Sequence, residues 1–388
     1  MRIFVLGAGA TGSLLAQMLA RQGHEVVCGD KNPERAKHFL GKHSPLEVRE
    51  VNARNLWGIV KAARGNQLIV NASAAVFNEI VLRAALRLRA HYLDMSSHMM
   101  RNPFKAEQLR YASRFEEKRR TAVINAGVAP GLTNLLARRA ADMLDGVEAI
   151  HIRLYESTDS EHAVSQWSAA GAFDEAVSRP RVVRAGKFQL LKRFSEREKF
   201  RFPQPVGEAG VVLAAQDEVG TLPYYIPLKE MDVKIGGNEF DRLRRWYRQG
   251  KLSKSRGMVK ARFPHTASPR RVARLIRRGV LQNARFAASV LVTGMKKDQP
   301  MLIRWDCQFP TLYQIQQWGL GVTPIAYATA TMAADFVRNF PKDEHGVFPP
   351  EALPAETRHA IIAGVRSRDI RITQKTTRLK KLEDEDLF

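Results

Sequence analysis

The stretch RIFVLGAGATGSLLAQMLARQGHEVVCGD, from Arg2 to Asp30, constrains this chain more than any other. A short apolar run leads directly into three glycines, Gly7, Gly9 and Gly12. These open a run with Leu14, Leu15, Met18 and Leu19 on one helical face, and the apolar HEVVCGD follows. Strand, tight turn, helix and strand in this order make the first half of a doubly wound parallel sheet. Each glycine has its own physical task. Gly7 permits the sharp turn, Gly9 lets backbone approach a pyrophosphate, and Gly12 lets the helix lie close to the strand. Ala10 and Thr11 stand at the helix start, where free N–H groups and the positive end of the helix dipole face an anion. Asp30 ends the second strand eighteen residues after Gly12. A carboxylate there accepts from a ribose diol and repels a 2′-phosphate, so NAD is the favoured cofactor. Lys31 and Arg35 blunt that repulsion and leave NADP open.

The same rhythm continues for about 130 residues. QLIVNAS reads as a strand, and Phe77, Ile80, Val81, Ala84, Ala85 and Leu88 then recur at helical spacing. HYLDMSS and TAVINAG read as two further strands. The fold class expected is α/β, a Rossmann-type doubly wound parallel sheet. Ligands in such sheets sit beyond the carboxyl ends of the strands. This places Asn71, Ala72, Ser73 and Pro130 on the cofactor, and directs attention to Asp94–Ser97 and Asn125–Gly131. After Pro130 and Gly131, LTNLLARRAADML reads as a helix. Past residue 145 the period falls to two, in IHIRLYES and much later in IRWDCQF, which implies a half-exposed antiparallel sheet in a second, α+β domain. PIAYATATMAADFV returns to helix, and no internal repeat is present.

Composition narrows the classes. Two cysteines, Cys28 and Cys307, exclude a disulfide framework and any cysteine-based zinc site, and no metal site is expected. No window approaches the roughly 18 apolar residues of a membrane span. The N-terminal apolar run is broken by glycines and has no cleavage site after it, so a soluble, cytoplasmic protein is expected. The 62 Lys plus Arg against 39 Asp plus Glu give a net charge of +23. That excess is concentrated between Asp241 and Arg285, where fifteen basic residues face a single acid.

Four stretches carry a resemblance: GAGATG at Gly7, VNASAAVFNEIVLRAALRLRAHYLDMSS from Val70, INAGVAPGLTNLLA from Ile124, and GVFPPE from Gly346. Together they resemble the saccharopine dehydrogenase-like family, which includes saccharopine reductases and L-lysine 6-dehydrogenases. The resemblance implies a nicotinamide-dependent oxidoreductase acting on the C–N bond of an amino acid or opine of saccharopine or lysine type. It also implies an inserted substrate and dimerisation domain, hence a homodimer or higher homo-oligomer. The expected division is a dinucleotide-binding domain over 1–130 completed by 322–375, an inserted domain over 131–321, and a charged tail over 376–388. Ala129 stands where saccharopine reductases carry an acid, and Asn125 where relatives commonly carry one.

Amine oxidation needs a base and a clamp for the substrate. Asp94 is the acid implied by the resemblance, with a turn or cap residue as its plain alternative. His98 supplies the nearest imidazole, the side-chain type that changes charge near neutral pH. From the second domain, Arg153 and Arg181 could clamp a carboxylate, and Tyr155, Glu156, Trp167 and Lys187 could face the cleft. In SPRRVARLIRRG, Ser268 can cap and Pro269 start a helix with Val272, Leu275 and Ile276 on one face and arginines on the others. A solvated face is the plain reading, and an anionic membrane surface or acidic partner the functional one. No nucleic-acid motif accompanies it. A second class therefore stays open: a cofactor-binding protein with little or no dehydrogenase activity, docking by its basic surface.

Overall fold

The computed structural model describes residues 1–41, 44–161, 164, 166–252 and 268–379. Residues 253–267 of the basic segment and 380–388 of the charged tail lie outside the described residues. The first sheet is built from β1 (Arg2–Leu6), β2 (Glu25–Asp30), β3 (Glu47–Glu50), β4 (Leu68–Asn71), β5 (His91–Asp94) and β6 (Thr121–Val123). Its helices are α1 (Ala10–Arg21), α2 (Pro33–Leu40), α3 (Leu56–Ala62), α4 (Asn78–Leu88) and α5 (Ala112–Glu117). α6 (Leu132–Ala141) then leads away to the second domain.

There the strands are β7 (Gly146–Ser160), β8 (Arg181–Arg184), β9 (Lys187–Leu190), β10 (Glu198–Arg201), β11 (Glu208–Leu213), β12 (Glu230–Gly236), β13 (Leu281–Lys296) and β14 (Gln299–Gln308). The helices are α7 (Ala169–Val177), α8 (Leu222–Tyr225), α9 (Asn238–Arg248), α10 (Pro269–Arg277) and α11 (Leu312–Gln317). The chain finishes with α12 (Pro324–Arg338), β15 (Gly346–Phe348), α13 (Ala355–Arg366) and β16 (Arg371–Arg378).

The first sheet runs β15-β6-β5-β4-β1-β2-β3, with every pairing parallel. This is the doubly wound α/β arrangement, and its order reverses between β1 and β4, where such folds take their ligand. β1 is buried along four of its five residues because it lies between two neighbours and under helices on both faces. Two strands of this sheet escaped the sequence reading. β3, EVRE, is a charged edge strand without an apolar alternation, and β15, GVF, is too short to show one.

The second sheet runs β10-β11-β12-β7-β13-β14-β16. It is mixed rather than wholly antiparallel, because β12 lies parallel to β7. The return to the first domain is also more divided than a single segment over 322–375. α12 packs on α1 and β15 joins β6 in the first sheet, but β16 pairs with β14 in the second. That pairing extends through Arg378, so the stretch expected as tail begins inside a strand. Thirteen of the fifteen α12 residues are buried, and Thr323 caps the helix by accepting from the Ala326 N–H, with Pro324 in the first turn. One apolar core runs from Ile3, Val5 and Leu15 through Leu135 and Ala330 to Ile152 and Val290, so both sheets share it.

The far face of the second sheet holds a buried ionic network. Arg153, expected in the cleft, donates through Nε to Glu198 Oε1 and through Nη1 to Asp232 Oδ1, each at 2.5 Å. Lys234 reaches Glu198 at 2.6 Å and Arg184 reaches Asp232 at 3.1 Å. Burial would raise the Asp232 carboxyl, yet His151 and Arg153 hold it well below the usual carboxylate range. Asp232→Ala leaves Arg153 buried with half its partners. Urea denaturation should show a loss of roughly 3–5 kcal/mol, the cost of breaking a buried pair from one side.

Candidate functional site

The three glycines differ in what they meet. Gly7 has φ +99°, and a Cβ there would lie 2.8 Å from the Ala72 carbonyl and the Ser73 nitrogen. A Cβ at Gly12 would overlap the Gly7 carbonyl. Around the Cβ position of Gly9 nothing lies within 4 Å. Chain packing therefore demands the first and third glycines, while the middle one faces open space at the mouth of α1. Ala10, Thr11 and Gly12 begin that helix, whose first N–H groups have no intrahelical acceptor. A pyrophosphate fits this cradle. Asp30 accepts from Ala8 N through Oδ2 and from Asn32 N through Oδ1, both at 3.0 Å. A carboxylate has about four acceptor positions, so two remain for ribose hydroxyls.

The next strand end is braced from below. Asn71 donates to Asn78 Oδ1 at 2.7 Å, and its Oδ1 accepts from the N–H and hydroxyl of Ser73. Asn71 is buried, so its side chain shapes the Ala72–Ser73 turn rather than reaching outward. Pro130 is likewise buried, inside the turn that leads to α6.

Asp94 does not open into a cleft. It is 1% exposed and accepts from Asn125 N at 2.8 Å, Tyr92 Oη at 2.9 Å and Gln108 Nε2 at 3.1 Å. Burial pushes its carboxyl up to about 7 despite those donors. The bond from Asn125 N ties the end of β5 to the chain that leaves β6, and the other two hold the carboxyl in place. The expectation that it is the base is corrected to a positioning role.

The groups that do converge lie at the junction of the two domains. Ser97 N donates to Asp217 Oδ2 at 3.0 Å, and Ser97 Oγ donates to Asn125 Oδ1 at 2.7 Å. His98 is half-buried, and its charge bears on Asp217. Burial raises Asp217, with Arg181, the Ser97 N–H and His98 opposing. Burial lowers Arg181, with Asp217 opposing. Glu175, on α7, is raised by burial and by Glu156 nearby, and Gln216 hydrogen-bonds it. Glu156 accepts from Trp167 Nε1 at 3.3 Å and is raised by burial and by Glu239. Arg181 and His98 thus both act on Asp217, and Glu156 reaches the same group through Glu175. Arg153 and Tyr155 do not: Tyr155 packs on Phe202 across the far face, and Arg153 is held in the network above. Lys187 is exposed on β9.

A second group of acids grips the turn between Asn125 and Asn134. Glu218 accepts from Thr133 Oγ1 at 2.9 Å, and Glu351 accepts from Asn134 Nδ2 at 3.0 Å. Asn134 Oδ1 in turn accepts from Gly131 N at 3.0 Å. Burial raises both glutamates to about 7. Several buried polar atoms here have no protein partner: Asn125 Nδ2, Glu175 Oε1, Arg181 Nε, Glu218 Oε2 and Glu351 Oε1. Buried polar atoms are nearly always paired, so such a concentration marks a place where something else binds. Asp217, Glu175 and Glu218 were missed because nothing in their local pattern separates them from surface acids. Glu351 ends GVFPPE, where its place directly after two consecutive prolines was the available signal. Among the described residues no cluster of His, Cys, Asp or Glu could hold a metal.

Two expectations follow from this geometry. Gly9→Val should fold normally, because its side chain meets open space, and should lose NADH affinity by about 100-fold or more in calorimetry. Glu351→Gln should change the pH dependence of stability. The native carboxyl binds a proton up to about 7, whereas an unfolded one releases it near 4.5. Its contribution is therefore fully present below that lower value and is lost as pH rises through the native one. Relative to the wild type, the variant should gain on the order of 2–3 kcal/mol between about pH 5 and pH 8 in thermal unfolding.

Residues 3–123 match the family model described as saccharopine dehydrogenase NADP binding domain. Two curated relatives are carboxynorspermidine synthases. The one from Vibrio cholerae is 22% identical over 261 residues, and that from Vibrio alginolyticus is 24% identical over 262. Each alignment covers 61% of this chain and 63% of the relative, so the chain spans less than two thirds of the length of either. Among solved structures, apo saccharopine dehydrogenase (L-Glu forming) from Saccharomyces cerevisiae superposes with a TM-score of 0.71 at 11% identity. It covers 97% of this chain and 99% of that one, a likeness of fold. The cofactor of the first domain is thus a nicotinamide dinucleotide, NAD(P). Residues 3–123 thus form a domain of the saccharopine dehydrogenase NADP binding type, and the chain as a whole shares the two-sheet fold of saccharopine dehydrogenase.

Proposed function

We propose that this protein moves a hydride between NAD(P) and the carbon of a C–N bond in an amino-acid or opine substrate, one that carries both an amine and a carboxylate. The observation that supports it most is the pairing of opposite, unsatisfied groups at the domain junction. Arg181 offers an unpartnered Nε and Glu175 an unpartnered Oε1, and Asp217 and His98 stand beside them. A guanidinium suits a substrate carboxylate and a buried glutamate suits an ammonium. The relatives are consistent with this: carboxynorspermidine is by name a polyamine carrying a carboxyl group.

The cradle of Gly7, Gly9 and Gly12 with Asp30 would hold NAD(P), which supplies the hydride acceptor. In the oxidative direction, the substrate carbon gives up a hydride and its nitrogen a proton, leaving an imine that water divides into a carbonyl compound and an amine. His98 takes the proton, and Asp217 stabilises the imidazolium that results. Arg181 fixes the carboxylate, and Glu175 with Glu156 holds the amine end. Asp94, through Asn125, keeps the strand ends in register beneath the reacting groups. On this reading Asp30 favours NAD over NADP. The protein is expected to work as a homo-oligomer in the cytoplasm. A docking protein without dehydrogenase activity has less support, because an apolar or plugged junction would suit it better than one lined by charged groups.

A panel of amino acids, opines and carboxylated polyamines, assayed for NADH or NADPH formation at alkaline pH, should reveal turnover. His98→Gln and Asp217→Asn should each lower kcat by about 100-fold or more, while Arg181→Leu should act mainly by raising KM. NADH affinity should not change in any of them. Intact cofactor binding with no turnover across the panel would overturn this reading in favour of the docking one.

A further inference from the structure

The basic helix α10 plays no part in the reaction described above. Its apolar face is used internally: Val272 is 0% exposed, and it packs with Val164, Leu281, Ala284 and Leu312, with Leu275 and Ile276 against them. Ser268 stands at the N-cap as expected, but its side chain makes no capping bond. Arg270, Arg271, Arg274, Arg277 and Arg278 are all exposed. The spacings 270, 274, 277 and 271, 274, 278 put them on adjoining rows of one helix surface. Nearby arginines are paired: Arg242 with Glu239, Arg244 with Asp241 and Arg285 with Asp159. No described carboxylate pairs with any of the five.

Between α10 and α2 of the first domain lies a concavity of about 590 Å³. Arg270, Arg271, Arg274 and Arg278 line it on one side and His38 on the other, with Leu275 in its wall and no acid among the described lining residues. Clustered guanidinium groups without counter-charge repel one another, and each presents a planar fork that matches phosphate oxygens. A single monoanion would leave most of that charge unanswered. The cofactor cradle is separate, because none of Gly7, Gly9, Gly12 and Asp30 borders the concavity.

We propose that the concavity between α2 and α10 binds a compact, soluble anion carrying several phosphate groups. A bilayer is a poorer match, since the apolar residues that would anchor the helix are already packed inside the protein and the surface is concave. Extended nucleic acid is poorer too, since among the described lining residues there is no Phe, Tyr or Trp for successive bases to stack on.

Calorimetric titration with inorganic tripolyphosphate, with saturating NADH filling the cofactor cradle, tests this. Tripolyphosphate should bind at least about ten-fold more tightly than orthophosphate and weaken steeply with salt, as exposed charges do. The variant combining Arg270→Gln, Arg274→Gln and Arg278→Gln should lose at least about ten-fold in tripolyphosphate affinity while its NADH affinity stays within about two-fold. Arg274→Glu alone should weaken tripolyphosphate in the same direction, and gives the answer if the triple variant does not fold. No tripolyphosphate binding at low salt, or equal affinity in wild type and variants, would overturn the proposal. So would arginine-dependent binding to phosphatidylserine vesicles or to single-stranded RNA without tripolyphosphate binding, which would assign the surface to a membrane or to nucleic acid.

Discussion

The turn from Asn125 to Asn134 is the point at which the two domains become one structure. Three carboxyls from distant parts of the chain hold it: Asp94 on the Asn125 N–H, Glu218 on Thr133 and Glu351 on Asn134. The turn begins where β6 ends and finishes where α6 starts, so whatever fixes it fixes the angle between the sheets. Each carboxyl is buried, and burial favours its neutral form. Hydrogen bonds from neutral donors offset part of that cost without bringing in a positive charge. An ion pair there would have placed a permanent cation inside the turn. A set of protonatable acids leaves the local charge adjustable.

The same constraint positions the groups around it. Asn125 has φ +59°, a backbone state that few side chains other than Asn tolerate. Its carbonyl oxygen is used by Ser97, and Ser97 in turn donates its N–H to Asp217. The path from the buried Asp94 to the exposed side of the junction is therefore a chain of single hydrogen bonds across two domains. Displacing the turn would pull on Ser97 and, through it, on Asp217.

Much of the first domain was legible because its signals are periodic and local. Strand, glycine turn and helix each have a pattern set by backbone geometry, and the apolar runs of the parallel strands are continuous because both faces are covered. The edge strand EVRE has neither property, and it was invisible for that reason. In the second domain the alternation of IHIRLYES was legible, but not which face meets the cleft. Successive residues of a strand point to opposite faces, so Arg153 and Tyr155 share one face and Glu156 takes the other. No regular strand could have sent all three into one cleft. Deciding between the two faces needs the long-range pairing with β12 and β13. Asp217 and Glu175 were illegible for a related reason: their neighbours come from other elements, Ser97 at 120 positions from Asp217, and Glu156 and Gln216 around Glu175.

The distribution of charge bears on what the junction can admit. The surface carries most of a net charge of +23, and a field of that sign concentrates anions around the molecule, the dinucleotide among them. Inside the junction three acids, Glu156, Glu175 and Asp217, face one guanidinium, Arg181; burial raises all three, and an entering ammonium favours their charged form. A simple anion is drawn in from a distance and then finds a single guanidinium to answer it. A simple cation is suited to the interior but is repelled on approach. A zwitterion escapes both penalties, because its carboxylate answers the outer field and Arg181 while its ammonium answers the glutamates. On the proposed reading, the amino-acid character of the substrate is thus selected twice, first by the long-range field and then by contact. The arginines of α10 fit the outer half of this scheme, where no described carboxylate competes for them.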